Sequence, residues 1–342
     1  MSKKEDYYEE YIRLRNKYLK SKNKEHKEPS NLVLGEYKLA PWSDDFYGFP
    51  FQRILDDNNE DTKVCVISAP LYDLDRKKFK EIIDKGYLYI GISSYGYFPL
   101  YNEDDYKNDN RAEELLNKDM TNIINGASGW LYCSTNYDFL PNTPKLLFSE
   151  SDIPYINHIK VKNLSKEYDV IYNSGSNALF HRYHKNWDLA KKCIKLMLDS
   201  GLKVLIIGRE EMDDPSENHS NLVLKKFLPY YEFLDEIEKS KVLFVPNISD
   251  ASPRIITESL IKDVPVLVNK KIFGGWKYVN EYTGSFFKNE SDVMKKLKII
   301  INKVDTKEYS TRKWFEKQYY SNGKSRSNGK LREFVEKIKQ NK

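Results

Sequence analysis

Two carboxylates eight residues apart, Asp250 and Glu258, lie where a buried strand is followed by a helix. The apolar run VLFVP ends at Pro246. Ser252 and Pro253 then predict a helix start, because serine is a favoured N-cap and proline a favoured first helical residue. The N–H groups at such a helix start bind anions, and neighbouring carboxylates suit sugar hydroxyls. The residues alone leave two interpretations open: a site for a sugar and its phosphate, or a turn aspartate and a solvated helix glutamate.

The first half of the chain alternates between strands and helices. Strand Thr62–Pro70, a helix that Gly86 ends, and strand Tyr87–Ser93 predict a βαβ unit, which implies a parallel sheet. One helix containing residues 115–124 and a strand at Trp130–Cys133 are predicted to follow.

The second half repeats this alternation more clearly. Its predicted strands are Tyr168–Tyr172, Lys203–Gly208, Val242–Pro246 and Pro265–Asn269. Its predicted helices are Trp187–Ser200, Tyr230–Lys239, Pro253–Lys262 and Ser291–Lys303. The pattern predicts an α/β protein with two Rossmann-like, doubly wound domains, residues 1–160 and 161–304, and a helical tail, residues 305–342. In such sheets, ligands bind outside the carboxyl ends of the strands, here in the cleft between the domains.

The spacing of the residues around Glu258 is similar to the signature of a known enzyme family. Asp250, Glu258 and then Pro265-Val266 resemble the E-x(7)-E signature of the retaining, nucleotide-sugar-dependent glycosyltransferases of family four, the group 1 enzymes with the GT-B fold. Asp250 replaces the usual first glutamate, Asp263 stands where glycine is common, and Ser-Pro-Arg replaces a glycine-rich loop. The resemblance extends over about residues 168–287 and is thin over the first half.

The resemblance implies a donor site on the second domain. By this comparison, Asp250 holds hydroxyls of the donor sugar, Glu258 holds the ribose, and the helix beginning at Pro253 faces the diphosphate. The implied nucleotide-sugar contacts are Gly175, Gly208, Arg209, Leu228, Tyr230, Ser252, Pro253, Arg254 and Ile255.

Two cations complete the implied site. The family carries an arginine and a lysine that grip the diphosphate in the loop after the first strand of this domain, and Arg182 and Lys185 are the matching candidates. Cations suit this place because they stabilise charge on a diphosphate leaving group. His181 or His184 could replace Arg182 in this role, and both cations could be ordinary loop residues.

The acceptor is expected on the first domain. Ser93, Ser94 and Tyr95 follow a strand, so they are predicted to face the cleft as acceptor contacts, with plain loop residues as the alternative. The segment Tyr89–Pro99 is similar to a segment in glycosyltransferases of large DNA viruses, which suggests a viral source. The expected acceptor is a glycan, a lipid or a glycoprotein. Trp276 is predicted to pack within the protein and not to stack on a ligand.

Several other chemistries have little support in the sequence. Asp73-Leu74-Asp75 matches the metal-binding D-x-D of the other glycosyltransferase fold, but so short a match is frequent by chance. His181 and His184 have no third ligand at zinc-like spacing. The three cysteines do not pair into a disulfide scaffold or a cysteine-based zinc cluster. The resemblance implies that no metal is required, because the cations and N–H groups at the diphosphate do its work. Hydrolase, ATPase and dinucleotide oxidoreductase motifs are missing.

Charge is concentrated at the end of the chain. The formal net charge is +5, but residues 302–342 contain 12 basic and 5 acidic side chains, so this tail carries +7 and the rest −2. We expect the final helix to return to the first domain, leaving exposed cations for an anionic acceptor or a peripheral membrane contact. Nucleic acid is an unlikely partner, because the body of the chain is nearly neutral.

The resemblance therefore implies a metal-independent, retaining glycosyltransferase that uses a UDP- or GDP-sugar as co-substrate. No window is apolar enough for a membrane span, and the charged N-terminal residues favour a cytoplasmic location, the host cytoplasm if the source is viral. Three alternatives remain: a nucleotide-sugar epimerase, a DNA-modifying glucosyltransferase of the same fold, and a non-catalytic binding protein with a basic tail.

Overall fold

The computed structural model describes most of the chain, and the structural statements below concern these residues. The described ranges are 37–41, 49–93, 98–100, 110–152, 156, 158–175, 179–212, 218–322 and 324–341. Within them the chain builds two six-stranded sheets with helices packed on their faces. The helix predicted within residues 1–30 lies outside the described residues.

The first sheet follows the order of the chain. Its strands are β1 (Lys38–Pro41), β2 (Phe51–Leu55), β3 (Asp61–Ile67), β4 (Leu88–Ile92), β5 (Trp130–Tyr132) and β6 (Lys145–Leu147). Strands β3 to β6 are parallel, whereas β1 and β2 pair antiparallel to their neighbours. This antiparallel edge was not predicted. It depends on a tight turn in which the Asp56 carboxylate accepts the backbone N–H groups of Asn58 and Glu60.

The second sheet is entirely parallel. In chain order its strands are β7 (Tyr168–Asn173), β8 (Val204–Ile207), β9 (Leu222–Lys225), β10 (Ser240–Val245), β11 (Val266–Asn269) and β12 (Gly284–Phe287). Their order in the sheet is β12-β11-β10-β7-β8-β9, as in dinucleotide-binding domains. The direction of winding therefore reverses between β7 and β10, which is where such sheets bind ligands.

Most predicted helices form close to their expected bounds. The α-helices are α1 (Asp73–Asp84), α2 (Lys118–Asn125), α3 (Leu179–His184), α4 (Trp187–Asp199), α5 (Tyr230–Glu238), α6 (Arg254–Ile261), α7 (Glu290–Asp305), α8 (Thr311–Tyr319) and α9 (Arg326–Gln340). The single helix predicted across residues 115–124 is wrong. A 3₁₀ helix, Asn110–Leu116, precedes α2, because Asn117 accepts the N–H of Asp119 as an N-cap and starts a new helix there.

The final helix belongs to the core of the first sheet. Leu331, Phe334, Val335 and Ile338 of α9 are buried against apolar side chains of the first sheet, including Val64 and Ile90. Burial of each such side chain stabilises the fold by about 1.5–3 kcal/mol. The predicted return of the C-terminal helix to the first domain is confirmed, whereas the domain boundaries at residues 160 and 304 stay predictions.

The helices of the second sheet fill both of its faces. Helices α4 and α7 pack on one face, and helices α5, α6 and α8 pack on the other. The two sheets and these layers form the predicted architecture of two Rossmann-like units. Among the described residues, no helix combines the length and apolar character needed to cross a bilayer.

Candidate functional site

Lys185 and Asp250 meet at the point where the second sheet reverses its winding. Lys185 follows β7 and the short helix α3, and Asp250 follows the adjacent strand β10. The Lys185 Nζ lies 3.3 Å from the Asp250 Oδ2, and both side chains are 21% exposed. The structure thus brings together one cation and one carboxylate that the sequence predicted for the donor site.

Neighbouring residues hold this ion pair in place. Asn247 donates its side-chain N–H to the Asp250 Oδ2 at 2.9 Å. His184 Nδ1 and the buried Ser249 hydroxyl share a short hydrogen bond directly beside the pair. Asn186, on the other side of Lys185, donates to the Pro246 carbonyl at 3.1 Å. Three consecutive residues, 184 to 186, therefore each contact the loop that follows β10. The sequence suggested His184 only as an alternative to Arg182, and the structure places it against Ser249.

Helix α6 begins next to this ion pair without a side-chain cap. Its N-cap is Pro253 and not Ser252, so the predicted N-cap is wrong. The Ser252 hydroxyl instead accepts the Ser151 N–H at 3.0 Å and lies 2.9 Å from the Ser151 hydroxyl. Arg254 is exposed at the first helical position, and Ile255 packs partly against the core. In the first turn the Arg254 N–H donates to the Ser252 carbonyl at 2.8 Å and the Ile256 N–H to the Pro253 carbonyl at 3.0 Å. This helix start therefore offers an anionic ligand mainly the positive end of its dipole.

A pair of glycines after β11, Gly274 and Gly275, supports the loop that carries Asp250. Gly274 donates its N–H to the Asp250 carbonyl at 2.9 Å. A Cβ on Gly274 would lie 1.8 Å from the Ala251 oxygen, and one on Gly275 would lie 2.4 Å from the Pro253 side chain. The adjacent glycines therefore lie in the loop after β11, where their lack of side chains lets it approach the loop after β10. The Gly-Gly dipeptide was the signal available in the sequence.

Glu258 forms a second pair with Tyr230. The Tyr230 hydroxyl donates to the Glu258 Oε1 at 3.1 Å, and the carboxylate is buried on the second turn of α6. Burial raises the pKa of Tyr230, and the negative charge of Glu258 raises it further, so this hydroxyl stays protonated and donates. Leu228 is half-buried against the same core. Glu258 is therefore a held carboxylate and not a solvated helix charge.

Arg182 lies in α3, ahead of Lys185. Its guanidinium is partly exposed and lies 3.6 Å from the Asp188 carboxylate of α4. The side chain of His181 lies outside the described residues. The structure therefore does not place Arg182 on the Lys185–Asp250 pair.

Of the remaining predicted donor contacts, Gly175 and Gly208 allow two backbone segments to approach each other, and Arg209 packs inside the protein. Gly175 and Gly208 both have positive φ angles, and a Cβ on Gly208 would lie 2.4 Å from the Gly175 oxygen. Two strand ends approach closely here because neither residue has a side chain. Arg209 is only 4% exposed and stacks its guanidinium 3.7 Å from the centre of a Trp187 ring.

The first sheet presents a different set of residues at its carboxyl ends. Ser68, Ser93, Ser134 and Ser149 follow the four parallel strands, and all four are buried. Ser93 is only 1% exposed, and its hydroxyl lies 3.8 Å from the sulfur of Cys133. Ser93 therefore directs its hydroxyl into the protein and not into the cleft. The other acceptor candidates, Ser94 and Tyr95, lie outside the described residues.

The D-x-D motif has a structural explanation. Asp75 is buried and accepts the Tyr72 N–H at 3.0 Å at the start of α1, and Asp73 pairs with Arg76 in the first turn. The motif is thus a helix start. Among the described residues, no group of three or more His, Cys, Asp or Glu side chains is placed to hold a metal ion.

The carboxyl ends of the two sheets meet through a buried polar network. Asp152, 1% exposed, accepts the Lys277 ammonium at 2.6 Å, the Tyr278 hydroxyl at 2.5 Å and the Ser149 N–H at 2.9 Å. Close by, the Trp276 indole donates to the Cys133 carbonyl at 2.7 Å. These contacts, with the Ser151–Ser252 bonds, join loops after β5 and β6 to loops after β10 and β11. Trp276 packs within the protein, as its sequence context predicted.

Comparisons with known proteins show the fold. No family model matches the sequence, and no curated protein matches it significantly. The structure is similar to sucrose-phosphate synthase from Thermosynechococcus elongatus, with a TM-score of 0.53, 12% identity, 80% of this chain covered and 72% of that one.

Two further structures are less similar. The pneumococcal O-GlcNAc transferase GtfA, solved with UDP and GlcNAc, has a TM-score of 0.49 at 11% identity, covering 88% of this chain and 69% of that one. TarM has a TM-score of 0.48 at 10% identity, and the match covers 89% of this chain and 66% of TarM. With two Rossmann-like units that meet at the carboxyl ends of their strands, the chain has the GT-B fold.

Proposed function

We propose that the chain is a retaining glycosyltransferase that moves a sugar from a UDP- or GDP-sugar to an acceptor hydroxyl. The observation that carries the proposal is the Lys185–Asp250 pair, which lies where the winding reverses, beside the uncapped N-terminus of α6. A cation and the positive end of a helix dipole suit a diphosphate, and a carboxylate suits the hydroxyls of the attached sugar. The fold shared with a sucrose-phosphate synthase supports a sugar-handling function.

The proposed reaction uses these groups in sequence. The bond between the sugar's anomeric carbon and the diphosphate oxygen breaks, and the acceptor oxygen forms its bond to that carbon on the same face. The acceptor proton passes to the departing phosphate oxygen. Lys185 and the first turn of α6 stabilise the charge that grows on the diphosphate, and Arg182 would join them by turning from Asp188. These positive groups do the work that a metal ion does in other sites, so the reaction needs none.

Asp250 and Glu258 hold the two ends of the donor. Both described partners of the Asp250 carboxylate, Lys185 and Asn247, bind its Oδ2, which leaves Oδ1 for a sugar hydroxyl. When the donor diphosphate binds, Lys185 moves its charge from Asp250 toward the phosphate. Glu258, oriented by Tyr230, accepts the ribose hydroxyls.

The direct test is a panel of UDP- and GDP-sugars, measured by release of the nucleotide and by thermal shift. We expect one donor to be turned over and to raise the melting temperature, because a ligand that binds only the folded state stabilises it. NMR of the product's anomeric proton then distinguishes retention from inversion. The matched control is the double variant Lys185→Ala with Asp250→Ala, which should lose turnover while remaining folded.

Three other outcomes contradict the proposal in different ways. Conversion of the nucleotide-sugar without any acceptor would identify an epimerase. Transfer only to modified DNA would identify a DNA glucosyltransferase. If no donor is turned over and none shifts the melting temperature, the alternative of a non-catalytic binding protein would be favoured.

A further inference from the structure

Two tyrosines form an exposed aromatic surface at the end of β5. The rings of Tyr132 and Tyr137 lie 4.7 Å apart, centre to centre, and are tilted by 43°. Tyr132 is the last residue of β5 and is half-buried against the core, whereas Tyr137 is 43% exposed. Tilted rings of this kind present both a flat face and polar hydroxyl groups to a ligand.

The loop that carries Tyr137 is held by its own hydrogen bonds. The Ser134 hydroxyl donates to the Asn136 carbonyl at 2.6 Å, and the Asn136 side chain accepts the Asp138 N–H at 2.8 Å. The Leu140 N–H then donates to the Tyr137 carbonyl at 3.0 Å, and Leu140 is buried. A ligand would therefore meet a loop that is already ordered, which lowers the entropy cost of binding.

This surface lies next to the candidate donor site. Cys133, directly after Tyr132, accepts the Trp276 indole N–H through its carbonyl oxygen, and Trp276 follows β11 of the second sheet. The next loop residues connect this bond to the donor site, because the Gly274 N–H donates to the Asp250 carbonyl at 2.9 Å. The end of β5 is thus joined, through the loop after β11, to the residue proposed to hold the donor sugar.

The charge of this segment limits what it can bind. Between Gly126 and Pro144 the only charged residue is Asp138, which is exposed. An anionic acceptor would find no cation in this segment and one carboxylate to repel it. An uncharged polyhydroxyl ring fits better, because its C–H face can pack on an aromatic ring while its hydroxyls bond to Asn136, Thr135 and the tyrosine hydroxyls.

We propose that the Tyr132–Tyr137 surface is the acceptor subsite and that the acceptor is an uncharged saccharide. The inference rests on the proposed function, since it names the acceptor class for the same cleft. It competes with the expectation that tail cations attract an anionic acceptor, which stays a prediction, because the segment that carries Tyr137 contains no cation.

The test measures acceptor binding without any donor. Saturation-transfer NMR compares cellobiose, an uncharged disaccharide, with cellobiuronic acid, its anionic counterpart, on the full chain. We expect cellobiose to bind more tightly than the acid. Tyr137→Ala should weaken cellobiose binding about tenfold, the loss of about 1.4 kcal/mol expected for one aromatic contact. Tyr137→Phe should bind within about twofold of wild type, because the ring is retained.

The matched control is Tyr282→Ala. Tyr282 is also exposed, but it precedes β12 and so lies at the amino edge of the second sheet, away from the cleft. This variant should bind cellobiose as the wild type does. Unchanged nucleotide binding and an unchanged melting temperature in Tyr137→Ala would show that its fold is intact.

The outcomes separate this inference from the proposed function. If Tyr137→Ala binds cellobiose as tightly as wild type, if the acid binds better, or if wild type binds neither sugar, the subsite is overturned. If cellobiose binding depends on Tyr137 while no nucleotide-sugar is bound or turned over, the saccharide subsite stands and the glycosyltransferase proposal fails. If a donor is turned over and the KM for the acceptor is unchanged in Tyr137→Ala, the glycosyltransferase proposal stands and the saccharide subsite fails.

Discussion

The two sheets present opposite chemistry at the carboxyl ends of their strands. The second sheet ends in ionic side chains, with Lys185 and Asp250 paired beside the start of α6. The first sheet ends in four buried serines, whose hydroxyls bond to nearby backbone or side-chain atoms. The residues at the carboxyl ends of the parallel strands therefore form a charged edge on the second sheet and a neutral edge on the first, where the carboxylate of Asp152 lies further along the loop after β6.

This difference follows from what each edge is proposed to hold. A departing diphosphate carries charge that must be neutralised, and fixed cations and N–H groups do this in a cleft of low dielectric. A neutral acceptor needs shape and hydrogen bonds, which tyrosine rings and amide groups supply.

The largest effect is expected where the two edges meet. Asp152→Ala removes a buried carboxylate and leaves the Lys277 ammonium, which is largely buried, without its ion-pair partner. Breaking a buried pair in this way costs about 3–5 kcal/mol of the free energy of unfolding. Urea denaturation of the variant and the wild type measures this loss directly.

A surface pair provides the matched control. Asp199→Ala breaks the exposed Lys195–Asp199 pair, which joins residues four apart on α4 at 2.8 Å. It should change the free energy of unfolding by about 0.5 kcal/mol or less, because solvent screens exposed charges. Equal losses in the two variants would show that the Asp152 network does not hold the sheets together.

The second prediction compares the two edges by activity. Lys185→Ala and Asp250→Ala should each lower kcat/KM for the donor by about 10²–10³-fold, the loss typical of removing one group that stabilises transition-state charge. Ser68→Ala, on the first sheet, removes only a hydroxyl bonded to the Pro50 carbonyl at 2.9 Å. It should keep kcat/KM within about threefold, since about 1 kcal/mol of hydrogen bonding is lost outside the donor site. Steady-state kinetics with excess acceptor measures these kcat/KM values. An equal loss of kcat/KM in Ser68→Ala and Lys185→Ala would contradict the assignment of the donor site to the second sheet.

The charged edge was more predictable from sequence than the neutral one, for a physical reason. Strand ends and helix starts are local signals, so β7, β10 and a helix close to α6 were predicted from the sequence, whereas α3 was not. Lys185 and Asp250 were assigned to one donor site by the family resemblance, and their direct contact was not predicted. The Ser252 hydroxyl is different, because its partner Ser151 is 101 residues away in the chain. No local rule could choose that partner over the helix N-terminus.

The unpredicted strands show the same limit. β1 and β2 pair with each other and β2 with β3 through contacts that only the folded sheet provides, and their short sequences lack a strong apolar pattern. Tyr132 and Tyr137 had no motif to mark them, since their pairing depends on the turn that follows β5.

The third prediction tests how closely the charged edge is packed. Gly274→Ala places a Cβ 1.8 Å from the Ala251 oxygen, so the loop that holds Asp250 must shift. We expect a loss of about 1–3 kcal/mol of stability, typical of overpacking, together with a raised KM for the donor. Gly329→Ala is the control, because it lies in α9 with nothing within 4 Å of the added Cβ. This substitution should stabilise the chain by about 0.5–1 kcal/mol. Thermal unfolding of the two variants gives shifts of opposite sign if this is correct.

The smallest expected effect is a loss of stability at alkaline pH, caused by ionisation of Tyr278 at the junction of the two edges. Burial raises the pKa of Tyr278 well above its ordinary value, and the negative charge of Asp152 raises it further. Below about pH 10 the hydroxyl is protonated in both the folded and the unfolded chain, so its contribution to stability is fully present. Above that pH the unfolded chain releases the proton while the folded chain keeps it, and stability falls by about 1.4 kcal/mol per pH unit for this group. Tyr278→Phe should therefore show a shallower decline in the free energy of unfolding between pH 10 and pH 11 than wild type does, measured by urea denaturation. Tyr282→Phe, at an exposed site, is the control and should show the same decline as wild type. Parallel declines in all three proteins would mean that the junction opens to solvent before the chain unfolds, and the two edges would then not be held by the buried Asp152 network.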